Sequence, residues 1–374
     1  MMNKLSNKAL GFIVLAVLLV IISVVILFNN KKINKQTTTI YGAVGGGKEN
    51  FLADEEFTEI LEYEYDLDVV NDTWSNGKTV KEDLKRENGD KYDFVFFSDQ
   101  RFYDYFKTPA TGDEAPRDTV LNGSLTLNTP IVIYSWDVVV DALIKENIVT
   151  KTDDVYYITD MNKLLDYILN GKKWSDIGLN NLYGNINIDS TDPVTSSPGA
   201  TYYGLLLSIM AGGTINDKNV DENLPKLKEF YEKSGYMNNT PADLFEMYLK
   251  TGVGAKPMIV DYEKSIIDFA NSNPEGYKQI KDKIRILYPT PTIWNSHCIA
   301  TFTENGNKYL NVFKNTDVQN IAWKKYGFRT GTTVGSYKVS DAKVDGLPQN
   351  IDKTVSGLRM NVYNKLIDYL KEEQ

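Results

Sequence analysis

The chain has 374 residues, 42% of them hydrophobic and 24% charged, which excludes a disordered chain and predicts two globular lobes with appendages rather than one small core. Five of the 41 basic residues precede Thr37; the remainder sets 36 against 50 acidic residues, a net of −14. A body that acidic is a poor partner for nucleic acid, although neutral donors and helix ends can still hold a small anion.

Residues 9–28, ALGFIVLAVLLVIISVVILF, form an uncharged apolar run of twenty residues. At ~1.5 Å per residue it matches the bilayer core, about 30 Å. No small-x-small cleavage site follows in NNKKINKQTTT, and no cysteine stands near for lipid attachment. The run therefore predicts an uncleaved membrane anchor rather than a signal peptide. Lys4 and Lys8 on one flank nearly balance Lys31, Lys32 and Lys35 on the other, so charge alone does not orient it.

After a polar linker over 31–37, strand and helix patterns alternate. TTTIYGAV reads as a strand, YGAVGGGKENF turns, and KENFLADEEFTEILEYEY reads as one amphipathic helix. LDVVNDTW is a second strand, SNGKTVKEDLKREN a helix, and YDFVFFSD a buried strand ending at Ser98. TPIVIYS is another, ending at Ser135, with the helix WDVVVDALIKENI after it. Then come a helix in MNKLLDYILNG, a strand in NINIDSTDP, and a turn opening the apolar helix of TSSPGATYYGLLLSIMAGG. PMIVDYEKSIIDFAN reads as strand, turn and helix, KIRILYPTPTIW as one strand with two prolines, and residues 306–331 as helices. This is an α/β chain without solenoid repeats, several of whose strands end in a small polar residue just before a helix. In open α/β sheets ligands sit at such strand ends.

Two turns stand out. From Gly42 the first fits G-x-x-x-x-G-K, with Glu49 where a phosphate-binding P-loop needs Ser or Thr. A carboxylate there repels phosphate and cannot replace the hydroxyl on Mg²⁺, and Asp99, the acid at a strand end, falls one residue late. The simpler reading is a glycine turn for close backbone approach, with Glu49 and Glu55 favouring the helix dipole. The second turn gathers Thr195, Ser196, Ser197, Pro198, Gly199 and Ala200 before a helix from about Thr201. Helix capping needs one hydroxyl and the run offers three, a pattern that fits a neutral nest for a polar ligand as well as it fits capping.

The blocks TPIVIYSWDVVVDALI, WSDIGLNNLYGNINIDSTDPVTSSPGATYYGLLLSIMAGG, PMIVDYEKSIIDFA and LYPTPTIWNSHCIATF, with DVQNIAWKKYGFRTG, together resemble extracellular solute-binding proteins of the type II periplasmic-binding-protein fold. Within it they look most like the sulfate- and molybdate-type branch. The likeness covers most of 38–374 and rests on block order, with strand–DPxxSxxG–helix its most specific part. It implies two α/β lobes joined by hinge strands: an anchor and linker at 1–36, lobe 1 at 37–134, lobe 2 at 135–295, and a return to lobe 1 with C-terminal helices at 296–374. It implies a body outside the cytoplasm and a solute in the interlobe cleft. The implied ligand contacts are Gly45, Gly46, Gly47, Lys48, Ser98, Ser135, Ser196, Ser197, Gly199, Ala200, Thr201 and Tyr262. A retained anchor departs from the family's usual secreted or lipid-anchored form, and Trp74 and Asn76 stand where a polar contact is expected.

The lone cysteine and histidine, Cys298 and His297, exclude an intrachain disulfide, a C-x-x-C site and His-rich zinc chemistry, and no carboxylate set has metal-ligand spacing. They are neighbours in a predicted strand, so they point to opposite faces and make a poor catalytic dyad; no G-x-S-x-G elbow exists. The expectation is a membrane-anchored, extracytoplasmic protein that captures a small polar or anionic solute for a permease or sensor, without enzymatic activity, metal or cofactor. A P-loop-like nucleotide-binding protein and a ligand-free scaffold on the same fold are the alternatives.

Overall fold

The computed structural model describes Val17 and residues 37–74, 85–108, 120–235, 237, 238, 240–330 and 337–372. Apart from Val17 the apolar run 9–28 lies outside the described residues. No helix among the described residues is long and apolar enough to cross a membrane.

The first unit begins with β1 (Thr38–Gly45), buried toward its carboxyl end. The predicted long helix after it is two: a single turn α1 (Glu49–Leu52), then α2 (Glu55–Tyr65). The break comes at Asp54, whose carboxylate accepts the amides of Glu56 and Phe57 and so caps a new helix. β2 (Leu67–Trp74) follows, parallel to β1. Most of the helix predicted over 75–88 lies outside the described residues; of its end, Lys85 makes a bridge to Lys91 and is not helical. β3 (Phe94–Phe97) is buried throughout and leads into α3 (Gln100–Lys107), capped by Asp99.

β4 (Asn122–Trp136) is fifteen residues long, more than twice the predicted strand, and joins two cores. Up to Pro130 it runs antiparallel to β9 (Thr292–Thr301). From Ile131 it pairs instead with β7 (Met258–Tyr262) and β8 (Ile284–Pro289). Before these come α4 (Asp137–Lys145), the hairpin β5 (Val149–Thr152) and β6 (Val155–Ile158), and α5 (Met161–Leu169). The predicted strand in NINIDSTDP is reduced to three isolated bridges, Asn185 to Lys173, Asp189 to Ile259 and Thr191 to Asn238. Likewise KIRILYPTPTIW is not one strand but the whole of β8 and the start of β9, because Pro291 has no N–H to continue a ladder. The eleven-stranded sheet runs β2-β1-β3-β9-β4-β8-β6-β5, with β7, β10 (Arg329–Thr330) and β11 (Thr354–Val355) off that path.

Helix α6 (Ser197–Met210) is buried from Pro198 through Ile209, as its all-round apolar sequence requires. It packs with α7 (Val220–Ser234), and α8 (Pro241–Thr251), α9 (Lys264–Ser272) and α10 (Pro274–Ile280) complete that side. Its core gathers Ile131–Tyr134, Leu205–Leu207 and Met258–Val260. Around the first unit, Ile40, Phe94, Phe96 and Phe313 pack on one sheet face and Val95, Phe97 and Phe102 on the other. Helices α11 (Glu304–Val312) and α12 (Thr316–Lys324) cover the former face. The chain ends in α13 (Met360–Lys371) on α7, where the Lys228 amine donates to the Tyr369 and Glu372 carbonyls.

Candidate functional site

β1 and β3 are parallel neighbours, so both deliver their carboxyl ends to one place. Glycine at 45 is required there: a Cβ would stand 2.3 Å from Ser98 Oγ. Ser98 Oγ in turn donates to the Gly46 carbonyl at 2.9 Å. Gly47 takes φ +86°, the left-handed region glycine tolerates. Its amide, which in a P-loop faces phosphate, donates instead to both oxygens of Glu49, at 3.0 and 2.8 Å. Lys48 also departs from that pattern. It is 1% exposed, and its amine turns back onto the Gly45 carbonyl and, at 3.5 Å, Ser98 Oγ. Burial pulls its pKa down to about 7. The eighth letter of the motif thus explains itself: Glu49 fills the amide site from within the chain.

Beneath this turn lies β9. Asn295 Nδ2 donates to the Ser98 carbonyl at 2.7 Å and sits 3.3 Å from His297 Nε2. His297 Nδ1 is buried without a partner. Burial, reinforced by Lys48 and Lys264, holds the imidazole well below its ordinary range. The ring packs on Phe328, 5.2 Å between centroids, whereas Cys298 joins Val95 and Phe97 on the opposite sheet face. Burial pushes its thiol pKa far up, so the pair has neither the geometry nor a thiolate for nucleophilic chemistry.

The facing wall comes from α6 and the end of β7. Ser196 Oγ donates to Thr191 Oγ1 at 2.9 Å, tying the turn to itself. Gly199 is there for space, since a Cβ would stand 2.2 Å from the Thr191 carbonyl oxygen. Ser197 is half-buried at the first helical position. Ala200 and Thr201, one turn on, line a cavity, and Tyr262 lines a second. Ser135 is placed elsewhere. β4 is antiparallel to β7, so Ser135 pairs with Met258 at the far end from Tyr262, and its hydroxyl is spent on the Pro257 carbonyl at 2.9 Å. The sequence signal of a strand ending in serine before a helix was the same as at Ser98; strand direction separates them.

Two chambers result. The first, about 470 Å³, has a floor of Asn128 and Ile293–Ser296, walls of Asp99–Asp104 and Ala200–Gly204, and a side formed by Thr354–Leu358. Its main charges cancel, because Arg101 grips Asp99 through Nε at 2.9 Å and Nη2 at 2.5 Å. The guanidinium also lies 4.0 Å over the ring of Tyr363 in α13. The second chamber, about 350 Å³, lies between the glycine turn and α8, β7 and α9. Tyr262 stands in its wall with its hydroxyl buried and unpartnered, and feels Asp99, Asp261 and Arg101. Asp261 beside it is buried, which pushes its carboxyl up to about 7. Asp99, Arg101, Asn295, Asp261 and Lys264 are functional candidates that sequence reading left out. Only Asp99 carried a signal, as a polar residue at a strand end.

No protein-family model and no curated protein matches the sequence. Solved structures do. The chain is similar to an ABC transporter substrate-binding protein from Bradyrhizobium japonicum USDA 110, at 11% identity and TM-score 0.56, over 90% of this chain and 100% of that one. The fold is that of the solute-binding proteins. An ABC transporter structure from Clostridium perfringens ATCC 13124 aligns at 14% identity and TM-score 0.53, over 88% and 96% of the two chains. A Trichodesmium protein in complex with iron and citrate aligns at 13% and 0.51, over 89% and 98%.

Proposed function

We propose that this chain is an extracytoplasmic solute-binding protein, held at the membrane by the run 9–28, that captures a small polar or anionic solute and presents it to a permease or sensor. The proposal takes residues 37–134 and 296–374 as one α/β lobe and 135–295 as the other, with β4 and β9 as hinge strands. One observation carries it: the ends of β1 and β3 face the end of β7 and the start of α6 across β9, leaving two cavities of ligand size. The fold's likeness to substrate-binding proteins of ABC transporters supports it. Binding acts by differential contact: a solute touching both walls favours the closed arrangement over the open one. The Glu49-filled glycine turn gives the nucleotide reading no support.

The test is a thermal-shift screen of the detergent-solubilised full chain against sugars, carboxylates, oxyanions and ATP with Mg²⁺. A solute at ~100 times its Kd adds about 2.7 kcal/mol of stability. Small-angle scattering should show the same solute reducing the radius of gyration. Silence across the panel, or a shift only with magnesium nucleotide, would refute the reading. Extraction of the chain from membranes by alkaline carbonate would refute the anchor.

A further inference from the structure

The second chamber has an unusual charge pattern. Lys48 is buried on one wall with its amine 4.7 Å over the ring of Phe96, and no carboxylate among the described residues pairs with it. Its neighbour Glu49 is committed to the Gly47 amide. On the other wall Lys264, the first residue of α9, places its amine 5.1 Å from the Phe328 ring, again outside any ion pair among the described residues. The two amines belong to one electrostatic cluster, since each disfavours charge on His297 and Lys264 disfavours it on Lys48. Glu49 offsets the buried charge of Lys48 only in part, since burial outweighs it, and an anion placed between the two amines would relieve the rest. The His297 ring, whose Nδ1 is buried with no partner among the described residues, lies beside Gly47 at the edge of the cluster.

The remaining lining limits which anion fits. Phe51, Phe245, Phe269 and Phe328 make most of the wall apolar. Asp261 and Asp268 also face the chamber. The Asp268 carboxylate opposes a dianion such as sulfate, while buried Asp261 keeps its proton below about pH 7, and the aromatic walls leave a small hydrated oxyanion unmatched. A single carboxylate on an apolar body matches both halves. We propose that this chamber binds a monocarboxylate with an aromatic or aliphatic body, its carboxylate set between Lys48 and Lys264. The inference rests on the solute-binding reading and narrows its substrate class. It also replaces the oxyanion expected of the sulfate- and molybdate-type branch.

The probes are phenylacetate and hexanoate, their uncharged amides, sodium sulfate and a set of neutral sugars, titrated calorimetrically into the full chain in detergent at pH 6.5. The carboxylates should bind and the amides should bind at least tenfold more weakly. Lys264→Gln should cost phenylacetate affinity at least tenfold, and Lys48→Met similarly. Lys264 is half-buried and removable without unfolding, so it keeps the test valid where Lys48→Met disturbs the turn. Lys226→Gln, on the exposed face of α7 and away from both chambers, should leave phenylacetate affinity unchanged. Equal binding of acid and amide, or an unchanged affinity in Lys264→Gln, overturns the proposal. A sugar or sulfate that binds while both carboxylates are silent overturns it and leaves the solute-binding reading standing; silence from every probe counts against both.

Discussion

The strongest single test of the architecture is the ion pair that holds the end of β7. Arg329 is 1% exposed and Glu263 fully buried. Arg329 donates to Glu263 through Nε at 2.6 Å and Nη2 at 2.7 Å, and to the Pro348 and Gln349 carbonyls at 2.8 and 3.2 Å. Glu263 has one other partner among the described residues, the hydroxyl of Tyr288 at 2.6 Å. Arg329→Met therefore strands a buried carboxylate, at a cost of ~3–5 kcal/mol. The two carbonyls lose their donor at about 1 kcal/mol each. Glu263→Met added to Arg329→Met removes the stranded charge and should restore much of the loss, because an apolar pair of similar volume avoids desolvation. Urea unfolding of the full chain and the three variants gives the cycle. Glu263 lies between Tyr262 and Lys264, so Arg329→Met should also weaken whatever solute the second chamber holds. A single variant that costs under ~1 kcal/mol, or a double variant as unstable as the sum of the two singles, would refute a buried pair that depends on both partners.

Two further perturbations separate packing from ligand chemistry. Gly199→Ala puts a methyl 2.2 Å from the Thr191 carbonyl oxygen, where backbone must move; thermal unfolding should show a loss of roughly 1–3 kcal/mol with or without solute, and an unchanged midpoint would contradict the close approach. Asp261, pushed up to about 7 by burial, keeps its proton in the folded chain below that pH, while the carboxyl of the unfolded chain ionises near its ordinary value of 3.8. Wild-type stability should therefore fall as pH rises from 3.8 to 7, by an amount on the order of a few kcal/mol. Asp261→Asn should flatten that slope and gain most above pH 7, and parallel pH profiles for the two proteins would refute it.

Local chemistry made much of the chain readable. Continuous apolar runs such as FVFF and the all-round apolar helix after SSPGA announce buried elements, and the structure holds them at β3 and α6. What failed was decided by neighbours in space. A carboxylate at Asp54 splits a helix that its apolar spacing joins, and Pro291 divides a run of strand formers. The length of β4 was hidden because residues 122–128 alternate polar and apolar beside β9, while residues 131–134 are buried on both faces. At the site, hydroxyls near glycine were visible as a pattern, but their partners were not. Ser196 donates to Thr191, Ser135 to Pro257 and Ser98 to Gly46, so all three hydroxyl protons are committed within the chain, and no property of the residues themselves foretells it.

The glycine turn shows how one letter redirects a motif. Gly45 brings backbone against Ser98, where a Cβ would stand 2.3 Å from Oγ, and Gly47 turns its amide in the left-handed region. With a hydroxyl at position 49 that amide would await an outside anion. With a carboxylate there, two short hydrogen bonds from the Gly47 amide close the nest from within. The lysine beside it then has no phosphate to reach and no ion pair among the described residues, although the Glu49 charge still favours its proton. It folds back onto Gly45 and the Phe96 ring, buried and short of counter-charge, and faces a second lysine across an apolar chamber. The substitution that removes the nucleotide reading is the same one that leaves Lys48 available to a carboxylate.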